Sequence, residues 1–303
     1  MTVICLPDEH AVDLVGPLPD GAEVAVWDGS GPAPRDVEFW APAYMLADPA
    51  ARDAAFAALP KLRVVQLVSA GADVWIGHVP PDVVLCDGRG IHGSSTAEWV
   101  LTAVLSVIRE FPRFVRAQDQ RRWAPTSTDE LAGKQVLVIG AGDLGENVER
   151  RLLAFDAVPT MVARRARDGV HGVADLPSLL PGADVVVLVV PLTDETRGMV
   201  DAGFLAAMAD HALLVNASRG PVVVTDALVV ELASGRLRAA LDVTDPEPPP
   251  PGHPLWDVPN LLLTPHIGGG VRGFTARAYR LVREQILRYL AGEPLINVVV
   301  DGY

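Results

Sequence analysis

The chain has 303 residues, of which 50% are hydrophobic and 21% charged, so it is long enough for two domains and too apolar to be mainly disordered. Its 25 basic and 38 acidic side chains give a formal net charge of −13, which argues against nucleic acid and membrane surfaces as partners. No apolar run approaches the ~20 residues that cross a bilayer, and no basic region of a signal peptide opens the sequence.

Short apolar runs typical of strands alternate with a helical stretch in the first part of the chain. The predicted strands are 2–6, 23–26, 37–40, 64–67 and 83–86, with a helix at 49–59. Such alternation indicates crossover connections and a mostly parallel sheet. Cys5 and Cys86 lie in these apolar runs, so we expect reduced core thiols, a cytoplasmic location and no metal site.

A long helix from 98 to about 116 is predicted next, with a kink at Pro112. A second alternation follows, with strands predicted at 135–139, 158–163, 184–190, 212–216, 237–243 and 260–264. Six strands with helices between them is the count of a complete dinucleotide-binding fold. The proline-rich run 246–252 must be a stiff surface loop. Few residues follow the last predicted helix, 274–291, so we expect this helix to return to the first domain.

A glycine-rich turn lies between the strand at 135–139 and the helix after it. Gly140, Gly142 and Gly145 form the pattern G-x-G-x-x-G, in which glycine allows a tight turn, a close approach of the backbone to a diphosphate, and close packing of helix on strand. The helix N-terminus adds N–H donors and partial positive charge. The alternative is an ordinary strand-to-helix turn, but the strand and helix around the motif favour a dinucleotide site.

The end of the next strand predicts which dinucleotide is bound. NAD sites usually place an acidic residue there, about 20 residues downstream, to bind the ribose 2′-hydroxyl. Here Arg164, which follows Gly145 by 19 residues, occupies that place, and Arg165 is next to it. Guanidinium groups suit a 2′-phosphate, so NADP(H) is the expected cofactor and NAD(H) the alternative. A solvated basic turn is the competing interpretation.

Three polar residues follow three successive predicted strands. Arg219, Glu247 and His266 lie where the carboxyl ends of parallel strands meet at one edge, beside the dinucleotide. Arg219 can bind a carboxylate and polarise a carbonyl, and His266 can donate a proton near neutral pH. Glu247 would pair with His266 and favour its charged form. Each residue alone could be structural, but all three together at three successive strand ends favour a catalytic set.

The motifs together resemble the D-isomer-specific 2-hydroxyacid dehydrogenase family. The matching segments, in chain order, are Gly140-x-Gly142-x-x-Gly145, Pro191-Leu192-Thr193-Asp194-Glu195-Thr196, Asn216-Ala217-Ser218-Arg219-Gly220, Leu241-Asp242-Val243, Glu247-Pro248, His253-Pro254-Leu255-Trp256 and Thr264-Pro265-His266-Ile267-Gly268. The strand end with Arg164 and Arg165 resembles the NADPH-dependent glyoxylate/hydroxypyruvate reductase branch in particular.

This resemblance implies two doubly wound parallel-sheet α/β domains, Rossmann-like and flavodoxin-like, with a cleft between them. Residues 1–96 and 275–303 would form a discontinuous substrate-binding domain, and residues 97–274 a dinucleotide-binding domain through which a homodimer forms. We expect oxidoreduction between NADP(H) and a small 2-oxoacid or D-2-hydroxyacid, with glyoxylate or hydroxypyruvate as the substrate.

The resemblance also assigns residues to the two ligands. The implied cofactor contacts, besides the glycines, arginines and His266, are Asp143, Leu144, Pro191, Thr196, Ala217, Ser218, Asp242, Gly268 and Thr96. The implied substrate contacts, besides Arg219 and His266, come from Ala70 and Gly71, in a loop whose backbone N–H groups would hold the carboxylate. Thr96 could instead be the N-cap of the long helix. Tyr44 and Met45 lie on a predicted strand-end loop that we expect to face the substrate.

Two departures from the family pattern concern substrate size. Thr244 stands where an aromatic residue is usual, and three glycines starting at Gly268 replace a small polar run. Two other functions remain open, a phosphite-type dehydrogenase of the same fold and a dinucleotide-sensing protein similar to the family's corepressors. Glu247 argues against formate oxidation, because the formate branch carries Gln there.

Overall fold

The computed structural model describes residues 1–44, 46 and 48–300, so Met45 lies outside the described residues. The chain forms two compact units, Met1–His92 with Arg272–Tyr303, and Gly93–Val271. The sequence places the domain boundaries a few residues later, after residues 96 and 274. In the described part of the chain, no helix has both the length and the apolar character of a membrane span.

The first unit is a five-stranded sheet with helices against its faces. Its elements are β1 (Thr2–Leu6), α1 (Glu9–Val15), β2 (Ala22–Val26), β3 (Val37–Trp40), α2 (Pro49–Ala58), β4 (Val64–Gln66), β5 (Val84–Cys86) and, from the end of the chain, α9 (Phe274–Ala291). The strand order is β2-β1-β3-β4-β5 and every pair is parallel. This is the flavodoxin-like order, in which ligands bind beyond the carboxyl ends of the strands.

The pattern of β1 shows why these residues form a central strand. Ile4 and Leu6 pack in one core with Ala278 and Val282 of α9. Val3 and Cys5 point to the other face and pack in a core that includes Ala55 of α2. Successive side chains of a strand alternate between faces, and both faces are covered, so the whole strand must be apolar. The last helix, α9, therefore packs on the sheet of the first unit.

The second unit is a seven-stranded sheet covered on both faces. Its helices are α3 (Gly93–Ile108), α4 (Phe111–Asp119), α5 (Asp143–Leu153), α6 (Leu176–Leu179), α7 (Ala202–Ala207) and α8 (Thr225–Ala233). Its strands are β6 (Gln135–Ile139), β7 (Val158–Ala163), β8 (His171–Gly172), β9 (Val185–Leu188), β10 (Leu213–Asn216), β11 (Arg238–Leu241) and β12 (Leu261–Leu263). All pairs are parallel, in the order β12-β11-β10-β9-β6-β7-β8.

This order reverses between β6 and β9, because the chain moves outward through β7 and β8 and then returns to the other side of β6. The carboxyl edge at such a reversal is the usual place for a ligand in a doubly wound sheet. The predicted fold class of two parallel α/β domains is therefore confirmed. The sequence predicts six of these strands; it misses β8, which has only two residues.

The prediction of one long helix at 98–116, kinked at Pro112, is wrong. This stretch forms two helices, α3 and α4, and the chain turns between them at Glu110, which has a left-handed φ of 54°. Pro112 lies in the first turn of α4, where a helix does not need the N–H that proline lacks, so it starts a helix instead of kinking one. Because α3 begins at Gly93, Thr96 is inside the helix, and the N-cap interpretation of Thr96 is also wrong.

Candidate active site

The glycine turn at the end of β6 has the close contacts that the motif predicts. Gly140 has a φ of 119°, and a Cβ there would collide with the carbonyl oxygen of Val189. A Cβ on Gly145 would collide with the carbonyl oxygen of Gly140, so α5 can lie this close to β6 only with glycine at that position. Gly142 is the N-cap of α5, which begins at Asp143. The N–H groups of the first turn of α5 therefore start directly at the turn, as an anion site requires.

The side chain of Asp143 is directed into its own unit. It packs on the Cα of Gly93, where a Cβ would collide with its carboxylate, and its Oδ1 accepts a hydrogen bond from Asn147 Nδ2 at 3.2 Å. Arg151 extends this network by donating to Asn147 Oδ1 and to Ser94 Oγ. Asp143 thus joins the start of α3 to α5.

Arg164 and Arg165 follow β7 directly and are both exposed, with no carboxylate between Ala163 and Asp168. The structure adds a third arginine that the sequence analysis did not assign. Arg167 donates from Nη2 to the carbonyl oxygen of Ala141, at 2.7 Å, inside the glycine turn. The sequence shows Arg167 as the last arginine of the run Arg-Arg-Ala-Arg, but it does not show where the side chain lies. The tight turn between Arg167 and Val170 brings the guanidinium back to the glycine turn.

Two other strand ends carry predicted cofactor residues. After β9, Thr196 Oγ1 donates to the carbonyl oxygen of Pro191 at 2.6 Å and accepts from Thr193 N at 2.8 Å, which closes the turn. After β10, Ser218 donates from N and Oγ to the buried Asn216 Oδ1, at 3.0 and 2.6 Å. These bonds fix the backbone of both turns.

Arg219 is held by the same turn. Asn216 Nδ2 donates to the carbonyl oxygen of Arg219 at 3.0 Å, and Arg219 Nη1 donates to that of Ser218 at 2.8 Å. The next residue, Gly220, packs so closely on the carbonyl of Thr244 that a Cβ would collide with it. The loops after β10 and β11 are therefore in backbone contact. Asn216 belongs to the segment Asn216-Ala217-Ser218-Arg219-Gly220 that resembles the family, but only the structure shows that its side chain holds the backbone of Ser218 and Arg219.

Glu247 and His266 form the pair that the sequence predicts. Glu247 Oε1 lies 2.7 Å from His266 Nδ1, and Glu247 Oε2 accepts a hydrogen bond from the backbone of Thr244 at 3.4 Å. Both side chains are partly exposed, 46% for His266 and 41% for Glu247, so Nε2 can be the ring nitrogen that serves a substrate. His266 has a left-handed φ of 54°, held by its N–H bond to the carbonyl oxygen of Asp242.

Asp242 organises the loop that carries His266. Its buried carboxylate accepts from Thr264 Oγ1 at 2.6 Å, from Ile267 N at 2.9 Å and from Gly268 N at 2.7 Å. A Cβ on Gly268 would lie 2.9 Å from Asp242 Oδ2 and 3.3 Å from Thr96 Cγ2. The structure therefore brings the predicted residues Thr96, Asp242 and Gly268 together beside the Glu247–His266 pair.

A cavity of about 550 Å³ opens beside this pair. Apolar side chains form most of its wall, and Asp242, Glu247 and His266 supply its ionisable groups. Its lining residues are Asp242, Thr244, Glu247, Pro248, Pro249, Trp256, Leu263, Thr264, Pro265 and His266. Thr244 Oγ1 donates to the carbonyl oxygen of Pro246 at 2.8 Å, so this residue shapes the loop as well as the cavity.

The predicted substrate residues Ala70, Gly71 and Tyr44 belong to the first unit, so the sheet edge of the second unit does not itself bring them to His266. The loop with Ala70 and Gly71 follows β4, and Ser69 Oγ donates to the carbonyl oxygen of Gly71 at 3.1 Å. Tyr44 lies on the loop after the neighbouring strand β3 and is half-exposed. Its ring centroid is 5.0 Å from that of Phe274, which stacks on His92 at 4.8 Å.

No group of three or more His, Cys, Asp or Glu side chains placed to hold a metal ion occurs among the described residues. The groups that the structure places at this edge are a guanidinium, an imidazole with a carboxylate partner, and backbone N–H groups at a helix N-terminus. Together they can bind a dinucleotide and protonate a carbonyl oxygen.

Comparison with known proteins gives one family model and many relatives. Residues 101–268 match the model of the D-isomer specific 2-hydroxyacid dehydrogenase, NAD binding domain. A glyoxylate reductase of Thermofilum pendens is 34% identical over 257 residues, covering 78% of this chain and 74% of that protein. A D-3-phosphoglycerate dehydrogenase of Archaeoglobus fulgidus is 33% identical over 227 residues, but the match covers only 43% of its length.

Solved structures resemble the whole chain. A D-isomer specific 2-hydroxyacid dehydrogenase from Xanthobacter autotrophicus Py2, in complex with NADPH and MES, is 32% identical with a TM-score of 0.83, and the match covers 100% of both chains. An NADPH-dependent glyoxylate/hydroxypyruvate reductase from Sinorhizobium meliloti, in complex with NADP and sulfate, is 28% identical with a TM-score of 0.85, again over 100% of both chains.

Proposed function

We propose that this chain, which belongs to the D-isomer-specific 2-hydroxyacid dehydrogenase family, reduces a small 2-oxoacid with NADPH, and that glyoxylate or hydroxypyruvate is its substrate. Membership of the family makes it an oxidoreductase that acts on CH–OH donors with a nicotinamide cofactor. The observation that carries the proposed reduction of a 2-oxoacid is the hydrogen-bonded pair of Glu247 and His266 on the sheet edge that also bears Arg219 and the glycine turn.

The residues of the glycine turn fit a dinucleotide. Gly140 and Gly145 lack the Cβ that would close the turn, and the first N–H groups of α5 are directed out of its N-terminus. We assign the diphosphate to this turn, with backbone contacts from Asp143 and Leu144. Pro191, Thr196, Ala217 and Ser218 would line the path toward the nicotinamide end, with Asp242, Gly268 and Thr96 beside it.

When bound, NADPH supplies the hydride. The residues of this chain do the rest. Arg219, fixed through Asn216, would hold the carboxylate of the oxoacid and polarise its carbonyl, because a planar guanidinium can bind two oxygens at once. The loop with Ala70 and Gly71 would present backbone N–H groups to the same carboxylate. Tyr44 would limit the space for the rest of the substrate.

His266 would donate the proton that the new hydroxyl group needs. Glu247 contacts Nδ1, which leaves Nε2 for the carbonyl oxygen and orients the ring. In the reverse direction the same nitrogen would accept the proton of a D-2-hydroxyacid.

Preference for NADPH is supported by the exposed Arg164 and Arg165 and by the absence of an acidic residue at the end of β7. Arg167 strengthens this proposal, because its bond to Ala141 holds a third guanidinium against the turn. Two of the structural relatives are described as complexes with NADPH or NADP. NAD(H) is the alternative cofactor.

A homodimer formed through the second unit is also part of the proposal. Most of the apolar side of α3 is used inside this unit, against the sheet and α5. Beyond it, Phe111 and Val115 of α4 are 58% and 55% exposed, and Trp123 is 94% exposed. A second copy with the same surface, related by a two-fold axis, would cover these side chains. Sedimentation equilibrium at micromolar concentration should show a dimer; a stable monomer would contradict this claim.

The cytoplasmic location stays a prediction of the sequence.

The test of the proposed function is a panel of 2-oxoacids with the purified protein, with NADPH or NADH consumption followed by absorbance. We expect the highest kcat/KM for glyoxylate or hydroxypyruvate with NADPH. His266→Gln should lose about 10²–10⁴-fold in kcat, whereas His171→Gln should behave like wild type. His171 is the control because it is an exposed histidine that also pairs with a carboxylate, 3.5 Å from Asp175. Absence of turnover with every oxoacid would contradict the proposal. Oxidation of phosphite would then support a phosphite-type dehydrogenase, and binding of NADPH without turnover would support a dinucleotide-sensing protein.

A further inference from the structure

The last described residues of the chain extend the sheet of the first unit. Residues 296–299, called here the tail segment, run antiparallel to β5. Asp87 N donates to the carbonyl oxygen of Asn297 and Val299 N to that of Leu85, both at 2.9 Å, and Cys86 lies opposite Val298. The tail segment thus covers an edge of the sheet and ends its pairing at the carboxyl end of β5.

Two buried amides connect the tail segment to the interior. Gln66 of β4 and Gln285 of α9 are both fully buried. Gln285 Nε2 donates to Gln66 Oε1 at 2.7 Å and to the carbonyl oxygen of Ile296 at 2.8 Å, and Gln285 Oε1 accepts from Ile296 N at 3.0 Å. Gln66 Nε2 donates to the carbonyl oxygens of Leu67 and Asp87, at 2.8 and 3.0 Å. All four N–H bonds of the two amides are used, and a satisfied buried network is rigid.

On the exposed side of this network, Asn297 bonds the tail segment to the residues that follow β5. It has a left-handed φ of 56°, and its Nδ2 donates to the carbonyl oxygen of Arg89 at 2.9 Å. Arg89 in turn donates from N and Nε to Asp87 Oδ1, both at 3.0 Å, and from Nη2 to the carbonyl oxygen of Val298 at 3.3 Å. The segment Asp87–Arg89 is therefore held by the tail segment through both backbone and side chains.

Between Asp87 and Arg89 lies the residue that contacts the loop after β4. Gly88 N donates to the carbonyl oxygen of Ser69 at 2.7 Å. A Cβ on Gly88 would lie only 2.9 Å from Ser69 N and 3.0 Å from Ser69 C, so the two backbones touch. Ser69 Oγ then reaches the carbonyl of Gly71. A displacement of Gly88 must therefore move Ser69 and, with it, Ala70 and Gly71.

We propose that the tail segment positions the substrate-binding loop, with Asn297 and Gln285 acting as positioning residues through Gly88 and Ser69. The inference rests on the proposed function, since it takes the loop with Ala70 and Gly71 to bind the carboxylate of the oxoacid. It assigns a role in substrate affinity to residues more than 200 positions away in sequence, at the other end of the chain.

The test uses Asn297→Gly and Asn297→Asp. Glycine accepts the left-handed backbone and removes the amide, whereas aspartate keeps the size of the side chain but cannot donate to Arg89. Asp156→Gly is the matched control, because Asp156 is an exposed residue of the second unit with a φ of 57°. For both Asn297 variants, KM for glyoxylate should rise about three- to tenfold, the factor expected from one lost hydrogen bond, while KM for NADPH changes by less than about twofold.

Hydrogen–deuterium exchange gives a readout that does not need turnover. Peptides that contain residues 68–72 should exchange faster in the Asn297 variants than in wild type, and at the wild-type rate in Asp156→Gly. A folded Asn297→Gly protein with unchanged KM for glyoxylate and unchanged exchange of this loop would overturn the inference alone. A wild-type protein that reduces no 2-oxoacid would overturn the proposed function, and this inference with it.

Discussion

Glu247 Oε1 and His266 Nδ1 are 2.7 Å apart, although the two residues follow different strands, β11 and β12. Because the strands are parallel neighbours, their carboxyl ends lie side by side, and the two loops can place a carboxylate against one ring nitrogen. The other nitrogen remains for chemistry. This geometry makes the contact between the two side chains, and not the position of either residue alone, the feature to test.

Glu247→Gln should lower kcat for oxoacid reduction, by less than the about 10²–10⁴-fold loss expected when the proton donor itself is removed. The amide can keep a hydrogen bond to Nδ1 and so hold the ring, but it removes the carboxylate that contacts the imidazole at 2.7 Å. Turnover is measured with saturating NADPH and oxoacid in wild type, Glu247→Gln and the control Asp175→Asn. An unchanged kcat in Glu247→Gln would mean that the carboxylate of Glu247 has no part in the reaction.

His266→Gln should lower kcat for reduction by about 10²–10⁴-fold, because it removes the proton donor. Affinity for NADPH, measured by fluorescence titration, should change little, since the glycine turn and the arginines are untouched. A comparable loss of NADPH binding would show that His266 serves the fold of the cofactor site and not proton transfer.

Arg164→Ala combined with Arg165→Ala should remove most of the preference for NADPH. Loss of a charge-assisted bond to a phosphate corresponds to about 10- to 150-fold in kcat/KM with NADPH, whereas kcat/KM with NADH should stay within about threefold. Arg150→Ala, an exposed arginine in the last turn of α5, is the control. If wild type already uses NADH better than NADPH, the interpretation of this strand end is wrong.

Asp242→Asn should destabilise the second unit by about 1–3 kcal/mol, because the carboxylate accepts bonds from two backbone N–H groups and a hydroxyl group in a buried place. An asparagine NH₂ group cannot accept a bond from Gly268 N or Ile267 N. Chemical denaturation of Asp242→Asn, compared with Asp194→Asn at an exposed position, measures the effect. Equal stability of the two variants would contradict the role assigned to Asp242.

Asp87 gives a prediction about pH and stability. Burial raises the pKa of its carboxyl group above the ordinary 3.8, against the opposing effect of the Arg89 hydrogen bonds. Because the pKa is higher in the folded state than in the unfolded state, protonation of Asp87 stabilises the folded protein, and this stabilisation is complete below about pH 3.8. It is lost as the pH rises through the pKa of the folded state. The free energy of unfolding of wild type relative to Asp87→Asn should therefore fall between acidic and neutral pH. A difference that is constant with pH would contradict the raised pKa.

Much of the fold could be predicted because the local pattern carries it. The bounds of β6, β7 and α9 match the predicted ranges, since an apolar run meets a clear end at Gly140, Arg164 and Gly292. The glycine turn and the Glu247–His266 pair follow from the rule that parallel strands share a carboxyl edge. The family resemblance, carried by these residues, is confirmed by the matching model.

What the sequence missed depends on contacts between distant residues. The turn at Glu110 has no glycine to signal its left-handed φ, so α3 and α4 looked like one helix. The bond from Arg167 to Ala141 and the three bonds of Asp242 need the folded loops before they can be recognised. The buried amides Gln66 and Gln285 looked like ordinary polar residues, because only burial makes their bonds obligatory.

The first unit is built from two segments of the chain that lie on either side of the second unit, and this limits the order in which a newly made chain can fold the two units. The second unit is one continuous stretch, Gly93–Val271, and can complete its core as soon as it leaves the ribosome. Ile4, Leu6 and Phe39 emerge much earlier, but they share a core with Ala278, Val282 and Ile286 of α9, which are made after the whole second unit. This apolar face of the first sheet can therefore be buried only after α9 has been synthesised, although its strands are made before the second unit.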